Sequence, residues 1–263
     1  MALFCLLQFK MYPIRIVLKK KQLNFAALFL FSILIISNYS KALGINKSDL
    51  TRTKVELYSE WKGNNKVIKD LPILILAGHA DSQGIAGAGT AGEAVDLKGE
   101  KPMNQKISDE LFWNLKVQQA IVLLGKSQGL NISGYYPVER NIIDGNNPTT
   151  NWSIGSKHNK GGGYALEIHF DSYGEYGFGS GLIPALSTKL NTVDESLARR
   201  FGRYPMFFRG GLGAPRRGIR ILEIAKLEGQ LEKDLRNKES RKKTIDLIAQ
   251  EILNALKEGL NDS

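Results

Sequence analysis

The chain of 263 residues contains one cysteine, Cys5, and three histidines, His79, His158 and His169. Cys5 lies in the N-terminal leader, so the folded part has no disulfide and no thiolate metal site. It also precedes the apolar core of that leader rather than following it, which is the wrong side for a lipid-attachment cysteine. Any chemistry that needs an imidazole has three candidates. Acidic residues are missing from residues 1–42, which carry Lys10, Arg15, Lys19, Lys20, Lys21 and Lys41. Those six account for more than half of the formal charge of +10, leaving +4 for the rest. So small an excess, with no basic cluster interleaved with aromatics, argues against nucleic acid as the partner. It suits work near an anionic polymer or a membrane surface. No internal repeat is present. Apolar residues make up 43% and charged residues 24%, values that allow an ordinary buried core.

The leader is uncharged from Asn24 to Ser37, "NFAALFLFSILIIS", behind the Lys19–Lys21 cluster and ahead of small residues near Ser40 and Ala42. That order reads as a secretory signal, and the apolar core is short for a membrane span. An uncleaved anchor is the alternative, and Met11 is a second candidate start. Charge on one side only has no use in a buried core helix. The expectation is an exported protein of the periplasm or cell envelope, touching membrane only through this N-terminal segment. Residues 43–65 read as a linker and 66–263 as one domain.

Within that domain, apolar periodicity predicts four strands. The first spans about 66–77, the second lies in "NISGYYPVER", the third is Tyr164 to Phe170, and the fourth is "GIRILEIAKL". Helices are predicted from near Ser108 to Gly129, from Val193 to Phe201, and at the C-terminus, where Ile245, Ile248, Ile252 and Leu256 form a stripe. Residues 144–163 read as turns, and His158 as a loop residue. Strands alternating with helices predict an α/β fold, a single domain with a mostly parallel central sheet flanked by helices on both faces. The long glycine-rich segment after the first strand reads as a functional loop, with residues 80–107 a candidate lid.

Two of the three histidines end strands. "LPILILAGHADS" is an apolar run that stops at Gly78 and His79, and "YALEIHF" carries His169 near its end. In a parallel sheet those ends lie on one side, where α/β proteins place ligands. Two histidines and a carboxylate with an open fourth position are a catalytic zinc set. Glu110 is the leading third ligand, since it projects from the face of the Trp113–Val117 stripe. Its place after the Ser108 N-cap is also what a helix dipole asks for, and on helix position alone that reading is the stronger. Glu93 is the runner-up, and Asp81 is a candidate partner for His79. Glu223 sits among Ile221, Leu222 and Ile224. An ionised carboxylate there is costly unless paired. It is either an edge-strand residue, an ion-pair partner of Arg216, Arg217 or Arg220, or a general base with a tuned pKa. Glu167 alternates onto the face of His169, for the site or for an ion pair.

The order of these pieces resembles the zinc-dependent N-acetylmuramoyl-L-alanine amidases of the type 3 family. The matching blocks are "LAGHADS", "DELFWNL" with Glu110, Asn114 and Leu115, "LEIHFDS" with His169, and "IRILEIAKLEG" with Glu223. "DESLARRF" and "FRGGLGAPRRG" look like the family's intervening segments. The likeness covers roughly residues 68–258. The first block departs from the family's Asp-Pro-Gly-His-Gly-Gly, the loop before Glu110 is longer, and the last block runs "AKLEG". The resemblance implies that His79, Glu110 and His169 hold Zn²⁺ and that Glu223 is the catalytic base. It implies a peptidoglycan hydrolase that cuts the amide between N-acetylmuramic acid and L-Ala of the stem peptide. Other readings are a zinc peptidase or amidase of the same fold on another substrate, and a non-catalytic wall-binding envelope protein.

Overall fold

The computed structural model describes residues 59–186 and 188–262. The expected leader and most of the expected linker lie outside the described residues. In chain order the elements are β1 (Ile73–Ala77), α1 (Glu93–Asp96), α2 (Asp109–Ser127), β2 (Ile132–Tyr135), α3 (Asn151–Lys160), β3 (Tyr164–Asp171), β4 (Gly181–Ile183), α4 (Thr192–Phe201), α5 (Phe208–Gly211), α6 (Gly213–Arg216), β5 (Arg220–Lys226), α7 (Gly229–Arg236) and α8 (Arg241–Asn261).

Five strands form one sheet in the order β2-β1-β3-β5-β4. The pairs β1–β2, β1–β3 and β3–β5 are parallel, and β4 runs antiparallel to β5. All five residues of β1 are buried, as a strand covered on both faces requires. One face, with Ile73, Ile75, Leu166, Ile168 and Leu222, packs against α2, α4 and α8. The other, with Leu74, Leu76, Ala165 and Ile221, is covered by α3 and the segment around Leu212 and Ala214. The expected three-layer α/β architecture is therefore observed. Among the described residues, no helix is long and apolar enough to cross a membrane.

Three expectations are corrected. β1 starts at Ile73, because Asp70 lies in a turn and Pro72 breaks the run behind it. Residues 151–160 form a helix rather than turns. Thr150 caps it by accepting from the Ser153 N–H, and Gly155 lies so close to Ile219 and Leu76 that an added Cβ would sit 2.6 Å from Ile219 Cδ1. His158 is thus a helical residue, 3.0 Å from the Pro72 carbonyl. The short strand β4 and the helix α7 were not legible in the pattern. α2 and α4 start where expected, on Ser108 and Asn191 side-chain caps.

Candidate metal centre

β1 and β3 are neighbours in register, with Ala77 opposite Ile168, so Gly78 and His79 emerge beside His169. The Gly78 N–H donates to the Ile168 carbonyl at 2.9 Å, extending the ladder by one bond. A glycine is needed there because the His169 ring lies against its Cα. An added Cβ would be 2.2 Å from Cε1 of that ring. His79 then turns out of the strand with φ of +61°, the only positive φ outside glycine among the described residues. That backbone is strained for an L-residue.

The strain delivers the His79 imidazole to its partners. Its Nε2 is 3.5 Å from Glu110 Oε1, and its ring meets His169 edge-on at 4.8 Å between centroids. Glu110 opens α2, whose N-terminus points over the ends of β1 and β3. Its Oε1 is also 3.0 Å from His169 Nδ1, while its Oε2 accepts from the Thr90 N–H at 2.9 Å. Asn114, one turn on, donates to Glu110 Oε1 at 3.4 Å and to the Gly78 carbonyl at 3.3 Å. His169 is held from its other side too, with Nε2 3.1 Å from Glu167 Oε1.

The donor set fits a divalent cation. One atom each from His79, Glu110 and His169 can be chosen so that all lie within 4.8 Å of one another. Tetrahedral zinc with bonds of about 2.0–2.1 Å needs ligand atoms about 3.3 Å apart. The 3.5 and 3.0 Å separations around Glu110 Oε1 lie on either side of that. The single Oε1 serves both histidines, and Oε2 is tied to the backbone, as in a monodentate ligand. Among the described residues, Glu110 and Glu167 have only histidines as ion-pair partners, so the cluster is rich in negative charge.

The ring and carboxyl charges respond to one another. Burial pulls the His169 imidazole down, but hydrogen bonds to Glu110 and Glu167 outweigh it and hold its pKa well above the usual histidine value. His79 is lowered, chiefly by burial. Burial pushes Glu110 up, but the two imidazoles win and hold it below the ordinary carboxylate value.

Glu223 lies on β5, paired in register with His169 on the adjacent strand. β5 is flanked by β3 and β4, so it is not an edge strand. Nor does Glu223 pair with a nearby arginine. Arg220 is committed to Asp194 at 2.9 Å, Arg217 reaches Asn146, and Arg216 reaches the Gly210 carbonyl. The Glu223 Oε2 is buried without a hydrogen-bond partner. Burial pushes its pKa up to about 8. Together with His79, Glu110 and His169 it lines an open cavity of about 510 Å³, whose mouth carries Tyr173 and Tyr176. A second, narrower cavity of about 190 Å³ also reaches both histidines and is lined by Ile85, Ile142, Trp152, Leu212 and Glu167.

Two candidates fall away. Glu93 opens α1, and its Oε2 takes Lys98 Nζ at 2.6 Å and the Gly229 N–H at 2.9 Å, outside the cluster. Asp81 does not pair with His79. Its Oδ2 accepts from the Asn151 N–H at the start of α3, and the Asn151 side chain donates to the Ala77 carbonyl. The loop after β1 is a framework rather than a free flap. Gln83 bridges the His79 carbonyl and the Ser108 N–H, Thr90 holds Glu110, and Arg236 binds Glu100 and Asp109. Strand alternation places Glu167 beside His169, whereas the contacts of Asn114 with Glu110 and Gly78 are not given by periodicity.

No family model matches the chain, and no curated protein is similar to it by sequence. Among solved structures, Cwp6 from Clostridium difficile is 12% identical with a TM-score of 0.49, over 72% of this chain and 29% of that one, so the chain spans less than a third of Cwp6. The catalytic domain of CwlV, an N-acetylmuramoyl-L-alanine amidase from Bacillus (Paenibacillus) polymyxa var. colistinus, is 14% identical with a TM-score of 0.47, over 73% of this chain and 100% of that one. The CwlD amidase from Clostridioides difficile, in complex with the GerS lipoprotein, is 16% identical with a TM-score of 0.46, over 73% and 100%. These are likenesses of chain path, and the chemistry of this chain rests on its own side chains.

Proposed function

We propose that this chain is a zinc-dependent amidase acting on peptidoglycan, cutting the amide between N-acetylmuramic acid and L-Ala of the stem peptide. The observation that carries the reading is the convergence of His79, Glu110 and His169 at ligand spacing, with an unpartnered buried carboxylate oxygen on Glu223 beside them. The choice of bond and polymer comes from the motif order in the sequence. Export to the envelope rests on the leader alone.

In this reading His79 Nε2, Glu110 Oε1 and His169 Nδ1 would hold the ion, which would supply Lewis acidity toward the scissile carbonyl and lower the pKa of the attacking water to ~7. Glu223 takes a proton from the attacking water on a carboxylate oxygen and returns it to the leaving amine. With its pKa pushed up to about 8, the ionised carboxylate is a stronger base than an ordinary one and still releases the proton to the amine. Glu110 stays ionised beside two imidazoles, and Thr90 fixes its second oxygen. Two cavities beside the cluster offer room for a polymeric substrate, the wide one lined by Tyr173 and Tyr176 and the narrower one by Trp152 and Leu212.

The test is a paired measurement on wild type and Glu223→Gln: zinc content, and release of stem peptide from purified peptidoglycan. One zinc per chain in both, with release only in wild type, is expected. Zinc with turnover of simple peptides but not of wall would move the substrate elsewhere. Equal release by both proteins would remove Glu223 from the chemistry, and no zinc in either would leave a wall-binding relic of the fold.

A further inference from the structure

Glu167 is 4% exposed, in the middle of β3, two residues before His169 on the same face. Its neighbours in register are Leu76 and Ile221, both apolar. A carboxylate in such a place needs a partner. It has one for Oε1, the His169 Nε2 at 3.1 Å, and none for Oε2.

The two nitrogens of His169 therefore face different acids. Nδ1 faces Glu110, whose Oε1 also faces His79, so the three-ligand set lies on the Nδ1 side. Nε2 faces away from that set, toward Glu167. We infer that Glu167 is a positioning residue, which accepts the Nε2–H of His169 and so fixes the tautomer and ring angle that present Nδ1 to the metal. The inference rests on the zinc reading above. Imidazole ligands are commonly oriented in this way, and losing the orienting group lowers metal affinity about 10–100-fold.

The alternative assignment would make Glu167 the ligand, with Nε2 binding the ion and Glu110 orienting the ring. Geometry disfavours it, because among the described residues no ion pair joins Glu167 to His79, whereas Glu110 meets both imidazoles. A purely structural carboxylate would accept the same Nε2–H, but its removal would cost folding stability and leave zinc affinity unchanged.

The experiment uses the full chain and zinc alone, with no wall substrate. Zinc affinity is measured by competition with a chromogenic chelator for wild type, Glu167→Gln and Glu167→Ala. Glu167→Ala is expected to bind 10–100-fold more weakly. Glu167→Gln keeps an acceptor oxygen and is expected to recover most of the loss. Long-range ¹⁵N–¹H spectra of zinc-loaded wild type, which need no variant, should show His169 protonated at Nε2 with Nδ1 ligated. Unchanged affinity in Glu167→Ala, or a His169 ligated through Nε2, overturns the inference. A wild-type chain that binds no zinc fails at the earlier step and overturns both readings. Tight zinc without wall hydrolysis would sink the substrate assignment and leave the role of Glu167 standing.

Discussion

Gly78→Ala tests the metal centre without removing any ligand. The added Cβ would lie 2.2 Å from Cε1, 2.4 Å from Nε2 and 2.5 Å from Nδ1 of His169. Carbon contacts settle at about 3.5–4.0 Å, so the ring must retreat by roughly 1.3–1.8 Å. It has nowhere free to go, with Glu110 at 3.0 Å, Glu167 at 3.1 Å and the His79 ring edge-on beside it. Metal sites tolerate deviations of about 0.2 Å in ligand distance. The expected result is a zinc affinity at least ~100-fold lower, which is about 2.7 kcal/mol. Strain in the metal-free protein should cost a further 1–3 kcal/mol, approximately, of folding stability. Gly163→Ala is a matched control. Its Cβ would lie 2.2 Å from Nε2 of His158, the histidine outside the cluster. That variant should lose stability but keep zinc affinity. Chelator competition gives the affinities. Thermal unfolding with and without zinc gives the coupling, since an ion that binds only the folded state raises Tm. Wild-type affinity in Gly78→Ala, or an equal loss of affinity in Gly163→Ala, would refute the reasoning.

Three further outcomes follow from the same geometry. His79 holds φ at +61°, a region that costs an L-residue about 1–2 kcal/mol and costs glycine little. His79→Gly should therefore be more stable than His79→Ala by about 1 kcal/mol, with both failing to bind zinc; equal stabilities by denaturant titration would deny the strain. Asp194 is fully buried and accepts from Arg220 Nε and Tyr164 Oη, each at 2.9 Å. Asp194→Asn leaves a buried guanidinium without its charge partner and should cost about 3–5 kcal/mol, while a folded remainder keeps its zinc affinity. Glu232 is buried under α1, and burial pushes its pKa up to about 7. The folded state then binds more protons than the unfolded one between pH ~4.5 and ~7, so this group's contribution to stability falls as pH rises through that window. Glu232→Gln should flatten the fall by about 1–3 kcal/mol, and an unchanged pH–stability curve would show that the carboxylate is not felt.

What the sequence made legible was what depends on local order. β1, β3 and β5 are apolar runs of strand length, and α2 and α8 carry helical stripes, with the Ser108 cap at the start of α2. α3 was read as turns because Asn, Gly, Lys and Ser dominate residues 151–160. Its support is tertiary, in the contact of Gly155 with Ile219 and in the Asp81 carboxylate at its first N–H. His79 and His169 were legible as strand ends, since adjacent parallel strands deliver their last residues to one place. The choice between Glu110 and Glu93 was open in the residues alone. It turns on how some thirty residues of loop fold back, and the deciding contacts are Thr90 on Glu110 and Gly229 on Glu93.

Glu223 shows where such reading stops. Its oddity is visible in the sequence, a carboxylate among isoleucine and leucine. Its environment is not, because an edge strand would have let the side chain face water and dissolved the oddity. The structure closes that way out with β4, three residues long and too glycine-rich to be seen by periodicity, which pairs antiparallel with β5 and sets Gly181 opposite Glu223. The Gly181 Cα approaches Tyr204 closely enough that an added Cβ would lie 2.7 Å from its ring. The burial that raises the pKa of Glu223 thus depends partly on the shortest strand of the sheet. A substitution at Gly181 should therefore alter the chemistry assigned to Glu223 without touching the metal ligands. Gly181→Ala is expected to keep zinc affinity while shifting the pH dependence of turnover, and an unchanged profile with unchanged rate would show that β4 only closes the sheet.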